Sequence, residues 1–123
     1  MYTVDTNAVI YYLQNDISAV SFFDRVTDLR VPVYISGISE TELLGYPPLT
    51  ENEIGAIENV IAICTVVHTN PRITRLAGEI RRTYRIKTVD ALIAATALFN
   101  NSTLITRNAR DFARIKELRV EKI

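Results

Sequence analysis

Tyr2-Thr3-Val4-Asp5-Thr6-Asn7-Ala8-Val9-Ile10 opens the chain and decides how the rest is read. Tyr2 to Val4 is a short apolar run of strand type, closed by an acid, Asp5. Thr6 to Gln14 follows at once as a helix, with Thr6 or Asn7 able to cap it. Asn15-Asp16 ends that helix. Ile17, Val20, Phe23 and Val26 recur at helical spacing and predict a second helix to about Leu29. Pro32-Val33-Tyr34-Ile35 is a short β-type run. Ser36 and Ser39 announce a helix through Leu43 and Leu44, stopped by Gly45 and Pro47-Pro48.

The same alternation continues to the end. Thr50 with Glu53 forms a capping box for a helix through Ile54, Ile57, Val60 and Ile61. Thr65-Val66-Val67 is a strand. Asn70-Pro71 starts a basic helix with Ile73, Leu76, Ala77 and Ile80 on its apolar face. Thr88 to Phe99 is apolar on nearly all sides, which suits a buried helix whose alanines permit close packing. Thr103 to Thr106 is a strand, Asn108 to about Lys116 a helix, and Arg119 to Glu121 a last short strand. Strands alternating with helices predict an α/β fold, with a parallel sheet of about four to five short strands covered on both faces. The chain of 123 residues reads as a single domain, residues 1–123, without repeat or linker.

Composition excludes other classes. Apolar residues make up 48% and charged residues 23%, as in ordinary globular domains rather than disordered or fibrous chains. The lone Cys64 can form neither an internal disulfide nor a thiolate metal site, which points to a reducing, cytoplasmic setting. No apolar run approaches a membrane span, and no membrane association is expected. The formal net charge of zero conceals a split: residues 1–70 carry two basic against nine acidic side chains, and residues 71–123 carry twelve against five. Arg72, Arg75, Arg81, Arg82, Arg85 and Lys87 are the candidates for a phosphate-backbone footprint, against the plainer role of a solvated helix face.

Open parallel sheets bind ligands beyond the carboxyl ends of their strands. Asp5 follows the first strand directly. Asn108 lies two residues past the strand ending at Thr106, and Asp111 one turn later. Glu42 and Asp90 fall in the first turns of helices. If these groups converge, they form a hard-oxygen cluster that favours Mg²⁺ or Mn²⁺ over zinc. Such an ion can activate water and stabilise the leaving oxygen of a phosphodiester. Each acid also has an ordinary explanation. Glu42 can close a capping box on Ser39, Asp90 can favour a helix N-terminus, and Asn108 with Asp111 has cap-and-third-residue spacing. Asp5 has no capping role as good as that of Thr6. His68 and Cys64 read as structural, and the aromatic residues as core or dimer contacts. A phosphoacceptor receiver would need an acid pair after the first strand, and a haloacid-type phosphatase a second acid two residues after Asp5; neither is present.

Four stretches resemble the motifs of PIN-domain ribonucleases, especially VapC-type toxins, in family order. They are Val4-Asp5-Thr6-Asn7-Ala8-Val9-Ile10, Ile38-Ser39-Glu40-Thr41-Glu42-Leu43-Leu44, Asp90-Ala91-Leu92-Ile93-Ala94-Ala95-Thr96-Ala97, and Leu104-Ile105-Thr106-Arg107-Asn108-Ala109-Arg110-Asp111-Phe112. The resemblance implies a three-layer α/β/α PIN-like fold and a Mg²⁺- or Mn²⁺-dependent endoribonuclease, the toxin of a type II toxin–antitoxin pair. It places Asp5, Glu42 and Asp90 as metal-site carboxylates and Asn108 at the fourth catalytic position, often an Asp in the family. Asp111 could partly replace the missing charge. Asn7 and Thr106 match positions that orient the cluster by hydrogen bonds. It further implies an RNA substrate, a homodimer, and a cognate antitoxin whose tail inserts near the acids. The alternative is a catalytically weak or inactive PIN module that binds RNA or a protein partner, an option kept open by Asn108.

Overall fold

A computed structural model describes residues 1–123. The elements run β1 (Tyr2–Val4), α1 (Thr6–Leu13), α2 (Ile17–Asp28), β2 (Val33–Ser36), α3 (Gly37–Leu44), α4 (Glu51–Ile63), β3 (Thr65–Val67), α5 (Pro71–Tyr84), α6 (Thr88–Phe99), β4 (Thr103–Thr106), α7 (Ala109–Phe112) and β5 (Val120–Lys122). The five strands form one sheet in the order β3-β2-β1-β4-β5, and every pairing is parallel. The first strand is thus central, and its carboxyl end lies between those of β2 and β4.

Alternation along the strands divides the core into two layers. Ile105 and Val4 face α1 to α4, where Val9, Phe22, Phe23, Ile35, Leu43 and Ile57 pack. Leu104 faces the opposite layer with Ile73, Ile80, Ile93, Phe112 and Ile115. Thr3 is fully buried on the strand, and its hydroxyl shares a 2.6 Å hydrogen bond with Ser102. This is the three-layer α/β/α arrangement expected from the strand–helix alternation.

Local signals explain most boundaries. The Thr50–Glu53 capping box forms at the start of α4, and the Asn70 side chain accepts from the Ile73 amide at the start of α5 with Pro71 in the first turn. Two expectations are corrected. The helix after Asn108 stops at Phe112 and does not reach Lys116. Phe112, Ile115 and Leu118 are buried at a spacing of three, and the Ile115 and Leu118 amides bond three residues back, so tight turns bury these side chains better than an α-helix would. The last strand is Val120–Lys122, one residue later than read.

Helices α5 and α6 form an antiparallel hairpin joined by Arg85, Ile86 and Lys87. Arg85 ends α5 in the left-handed conformation, φ 56°. The Arg72 guanidinium lies 5.7 Å from the centre of the Phe99 ring, so the start of α5 sits beside the end of α6. Ala91, Ala94, Ala95 and Ala97 of α6 are fully buried. A larger side chain at such a buried position has to displace its neighbours. Replacing Ala95 with Leu is expected to lower stability by roughly 1–3 kcal/mol through overpacking. Urea unfolding of the variant beside the parent chain measures it.

Candidate functional site

The strand-to-helix junctions set the site. Asp5 leaves β1 and becomes the N-cap of α1: its Oδ1 accepts from the Ala8 amide at 2.7 Å. This corrects the expectation that Thr6 or Asn7 caps the helix. A carboxylate here gains from the helix N-terminus, which compensates in part for its burial. Asp5 is 5% exposed.

Freed from capping, Thr6 turns to α3. Its hydroxyl donates to Glu42 Oε1 at 2.6 Å and lies 3.0 Å from Ser39 Oγ. Glu42 is therefore not the reciprocal partner of a Ser39 capping box. Ser36, not Ser39, caps α3, its side chain accepting from the Ile38 amide. The helix starts at Gly37, so Glu42 lies beyond its first turn rather than within it. Asp90 does stand in the first turn of α6, where Lys87 is the N-cap residue without a side-chain capping bond. The hairpin reverses the chain after α5 and so returns Asp90 to the rim where β1 ends.

Asp5, Thr6, Asn7, Glu42, Lys87 and Asp90 line one cavity of about 620 Å³. Burial pushes the Asp5 carboxyl above its ordinary value, and the nearby charges of Asp90 and Glu42 add to the rise. The Thr106 side chain and the Ala8 amide oppose it by hydrogen bonding. Burial likewise raises Asp90, reinforced by Glu42 and Asp111 and opposed by Lys87. The ion pairs of the chain, Arg25 with Glu121 and Arg107 with Asp16, involve none of the three acids. Buried Asp5, half-buried Asp90 and exposed Glu42 thus line one cavity with no paired cation. As placed, no three of the chain's His, Cys, Asp or Glu side chains converge on one point as a finished metal cage.

The remaining sequence candidates separate. Thr106 is buried beneath Asp5 and its Oγ1 accepts the Asn108 backbone amide at 3.0 Å. Asn108 and Asp111 stand outside the cavity lining. The Asn108 side-chain amide donates to Asp111 Oδ2 at 2.9 Å, in place of capping α7. Asn7 is exposed at the cavity wall, where its amide is no part of the hydrogen bonding that holds Asp5 and Glu42. Of the basic residues, Lys87 lines the cavity, and Arg82 and Arg85 are exposed at the same end of the hairpin. Arg81 Nε donates to the Ile86 carbonyl at 3.2 Å and so holds the turn itself. Arg72 lies at the other end, beside Phe99, about 13 Å along α6 from Asp90. Arg75, less than a turn further along α5, belongs to that distant part. Thr6 is the residue that sequence reasoning placed wrongly; nothing local in the sequence signals a bond to a side chain 36 residues away.

The folded chain retains the Asp5 and Asp90 protons to higher pH than the unfolded chain does. Their contribution to stability therefore falls as pH rises from the ordinary carboxyl value of 3.8 through the folded-state values. Asp5→Asn keeps the Oδ1 acceptor for Ala8 and removes one ionisation. Without divalent ions, it is expected to flatten that decline and to raise stability at neutral pH relative to the parent. Urea unfolding between about pH 4 and pH 7 reads both.

Comparison with known proteins places this geometry in a family. The sequence profile of the PIN domain matches residues 2–118. Ribonuclease VapC1 of Haemophilus influenzae is 31% identical over 128 residues, covering 96% of this chain and 94% of its own. Ribonuclease VapC19 of Mycobacterium tuberculosis is 28% identical over 123 residues, covering 96% and 97%. Among solved structures, VapBC-1 from nontypeable Haemophilus influenzae superposes with a TM-score of 0.80 at 30% identity, covering 98% of this chain and 96% of that one. VapBC2 from Rickettsia felis, bound to a promoter DNA fragment, gives 0.85 at 22% identity, covering 99% and 98%, a likeness of fold. With nearly its whole length matched in sequence and in architecture, the chain belongs to the PIN-domain family.

Proposed function

We propose that this chain is a metal-dependent endoribonuclease that hydrolyses RNA phosphodiester bonds, acting in the cytoplasm as the toxin of a type II toxin–antitoxin pair. The observation that carries this reading is the cavity in which Asp5, Glu42 and Asp90 meet without a paired cation. Relatives of the chain named as ribonucleases, similar over nearly their full length, support it.

The donor set fits a hard divalent ion in kind and in charge: carboxylate oxygens, with no soft ligand among them. It is not a preassembled cage. Asp5, Asp90 and Glu42 would hold Mg²⁺ or Mn²⁺, which when bound supplies charge neutralisation and activation of water for in-line attack on phosphorus. The chain's own part is positioning. The α1 N-terminus and Thr106 fix Asp5, and the Thr6 hydroxyl fixes Glu42. Lys87, Arg82 and Arg85 lie where a phosphate backbone approaching the acids would pass. Asn108, braced by Asp111, lies outside the cavity lining and would have to turn inward to offer its uncharged acceptor oxygen.

The partners follow the same reading. A second cavity of about 320 Å³ between α1, α3 and α4 is lined by Leu13, Leu43, Leu49 and Ile57, and it shares Ile10 and Tyr46 with the acidic one. A cognate antitoxin tail lying there would reach the acids, and a solved structure of similar fold from Klebsiella pneumoniae is described as a toxin–antitoxin complex. A homodimer completes the proposal. The alternative is a PIN module that binds RNA or protein without efficient cleavage; the neutral Asn108, tied to Asp111, is the feature that favours it.

RNA is expected to be cut in Mn²⁺ or Mg²⁺ and left intact in EDTA. Asp5→Asn or Asp90→Asn should each reduce the rate by roughly 10²-fold or more. Thr6→Val should weaken metal affinity by about 10–100-fold while leaving the ligands in place. Binding without cleavage by the parent chain would select the alternative. Charge reversal of Arg82 and Arg85 should weaken RNA binding and lower its salt slope, by about 0.7 for each single-strand phosphate that is no longer neutralised. The same reversal at Arg72 should leave the slope unchanged. Filter binding across a salt series measures both.

A further inference from the structure

Arg107 is a basic side chain next to the site that the catalytic reading leaves without a task. It sits between Thr106, whose side chain lies beneath Asp5 and lowers its pKa, and Asn108. Its guanidinium turns away from the acids and enters the α1–α2 turn. There its carbon lies 3.8 Å from the centre of the Tyr11 ring, and one nitrogen is 2.7 Å from Asp16 Oδ2. The pair is about two-thirds buried, with side-chain exposures of 33% and 29%. The same Asp16 oxygen caps α2 by accepting from the Ala19 amide at 3.1 Å, and the Asp16 amide bonds the Tyr11 carbonyl at 3.0 Å. Left-handed Asn15, φ 60°, closes the turn between them. The receptor for the guanidinium is thus made of one turn whose ring and carboxylate are both held independently of Arg107.

We propose that Arg107 is a positioning residue: stacked on Tyr11 and ion-paired to Asp16, it locks the β4–α7 turn so that Thr106 keeps its place beneath Asp5 and Asn108 its bond to Thr106. The physical case rests on three features. A planar, delocalised cation is suited to stack on a ring and donate to a carboxylate at once. Of its partners, Tyr11 belongs to α1, the helix whose N-cap is Asp5, and Asp16 caps α2 just beyond it, so the clamp joins the turn bearing Asn108 to the helix that starts at Asp5. The Asn108 amide bonds Thr106 Oγ1 at 3.0 Å, which makes that amide a direct reporter of the turn. A charge so occupied is not available to RNA, which sets Arg107 apart from Arg82 and Arg85.

The proposal builds on the nuclease reading, and the experiment separates the two. Full-length Arg107→Met and Arg107→Lys are compared with the parent by amide hydrogen exchange and by RNA cleavage in Mn²⁺. In Arg107→Met, the Asn108 amide should exchange at least about tenfold faster while the Leu104 amide stays as protected as in the parent. The kcat should fall by about tenfold to a hundredfold, with KM within about twofold. Arg107→Lys keeps the charge for Asp16 and loses the planar stack, so it should recover part of the loss. If Arg107→Met does not fold, Asp16→Asn, which retains an α2 cap, takes its place. Unchanged exchange at Asn108 overturns the proposal, as does faster exchange throughout β4, which would mean a role in global stability. A raised KM with unchanged kcat and a lower salt slope also overturns it, in favour of an RNA contact. If the parent chain cuts no RNA, the nuclease reading fails, and exchange at Asn108 alone decides the clamp.

Discussion

Burial of the Asp5 carboxyl, in a cavity wall that also carries Glu42 and Asp90, is the constraint around which the carboxyl rim of this sheet is arranged. Asp5 is buried, and its carboxyl is held above the ordinary range by that burial and by its two acidic neighbours. Nothing cationic pairs with it. What keeps it there is local: the N-terminus of α1, whose Ala8 amide it accepts, and the side chain of Thr106 beneath it. A group that costs stability in this manner persists where the surrounding fold over-determines its place.

The topology supplies that over-determination. Because β1 lies at the centre of the order β3-β2-β1-β4-β5, the segments leaving β1, β2 and β4 emerge side by side. Those segments deliver Asp5, the helix bearing Glu42, and the turn bearing Asn108. Asp90 follows no strand directly. It reaches the rim only because α5 and α6 fold back on each other, a packing that fully buried alanines along α6 allow. The overpacking-sensitive face of α6 and the acidic cavity are therefore consequences of one hairpin.

The two unequal halves of the charge distribution also acquire a meaning that is spatial rather than compositional. The acid-rich N-terminal segment contributes Asp5 and Glu42 to the cavity, but Asp16 is taken up by Arg107. The base-rich segment divides in turn. Arg81 holds a turn, Arg72 rests on Phe99 far from the acids, and Lys87 stands in the cavity wall. An even count of basic residues along a helix says little about which of them a phosphate could meet.

Much of the fold was legible in the residues. The capping box at Thr50–Glu53, Asn70-Pro71 at a helix start, the apolar run Thr88 to Phe99 and the strand at Thr103 to Thr106 all lie where local chemistry put them. The misses share one cause. The region after Asn108 buries Phe112, Ile115 and Leu118 through tight turns, because the neighbouring layer, not helix propensity, decides how those side chains are covered. The cap of α1 went to Asp5 and the Thr6 hydroxyl to Glu42, a choice that depends on a helix 36 residues away.

By itself the sequence determined the α/β class, the order of the elements and the identity of the acids at strand and helix ends, since these rest on periodicity and on capping preferences that act within a few residues. Only the tertiary structure decided which acids face one another, which threonine holds Glu42, and which arginines stand near the cavity. Those outcomes depend on strand order and on the reversal between α5 and α6, and both arise from burying apolar faces that no single segment can bury alone.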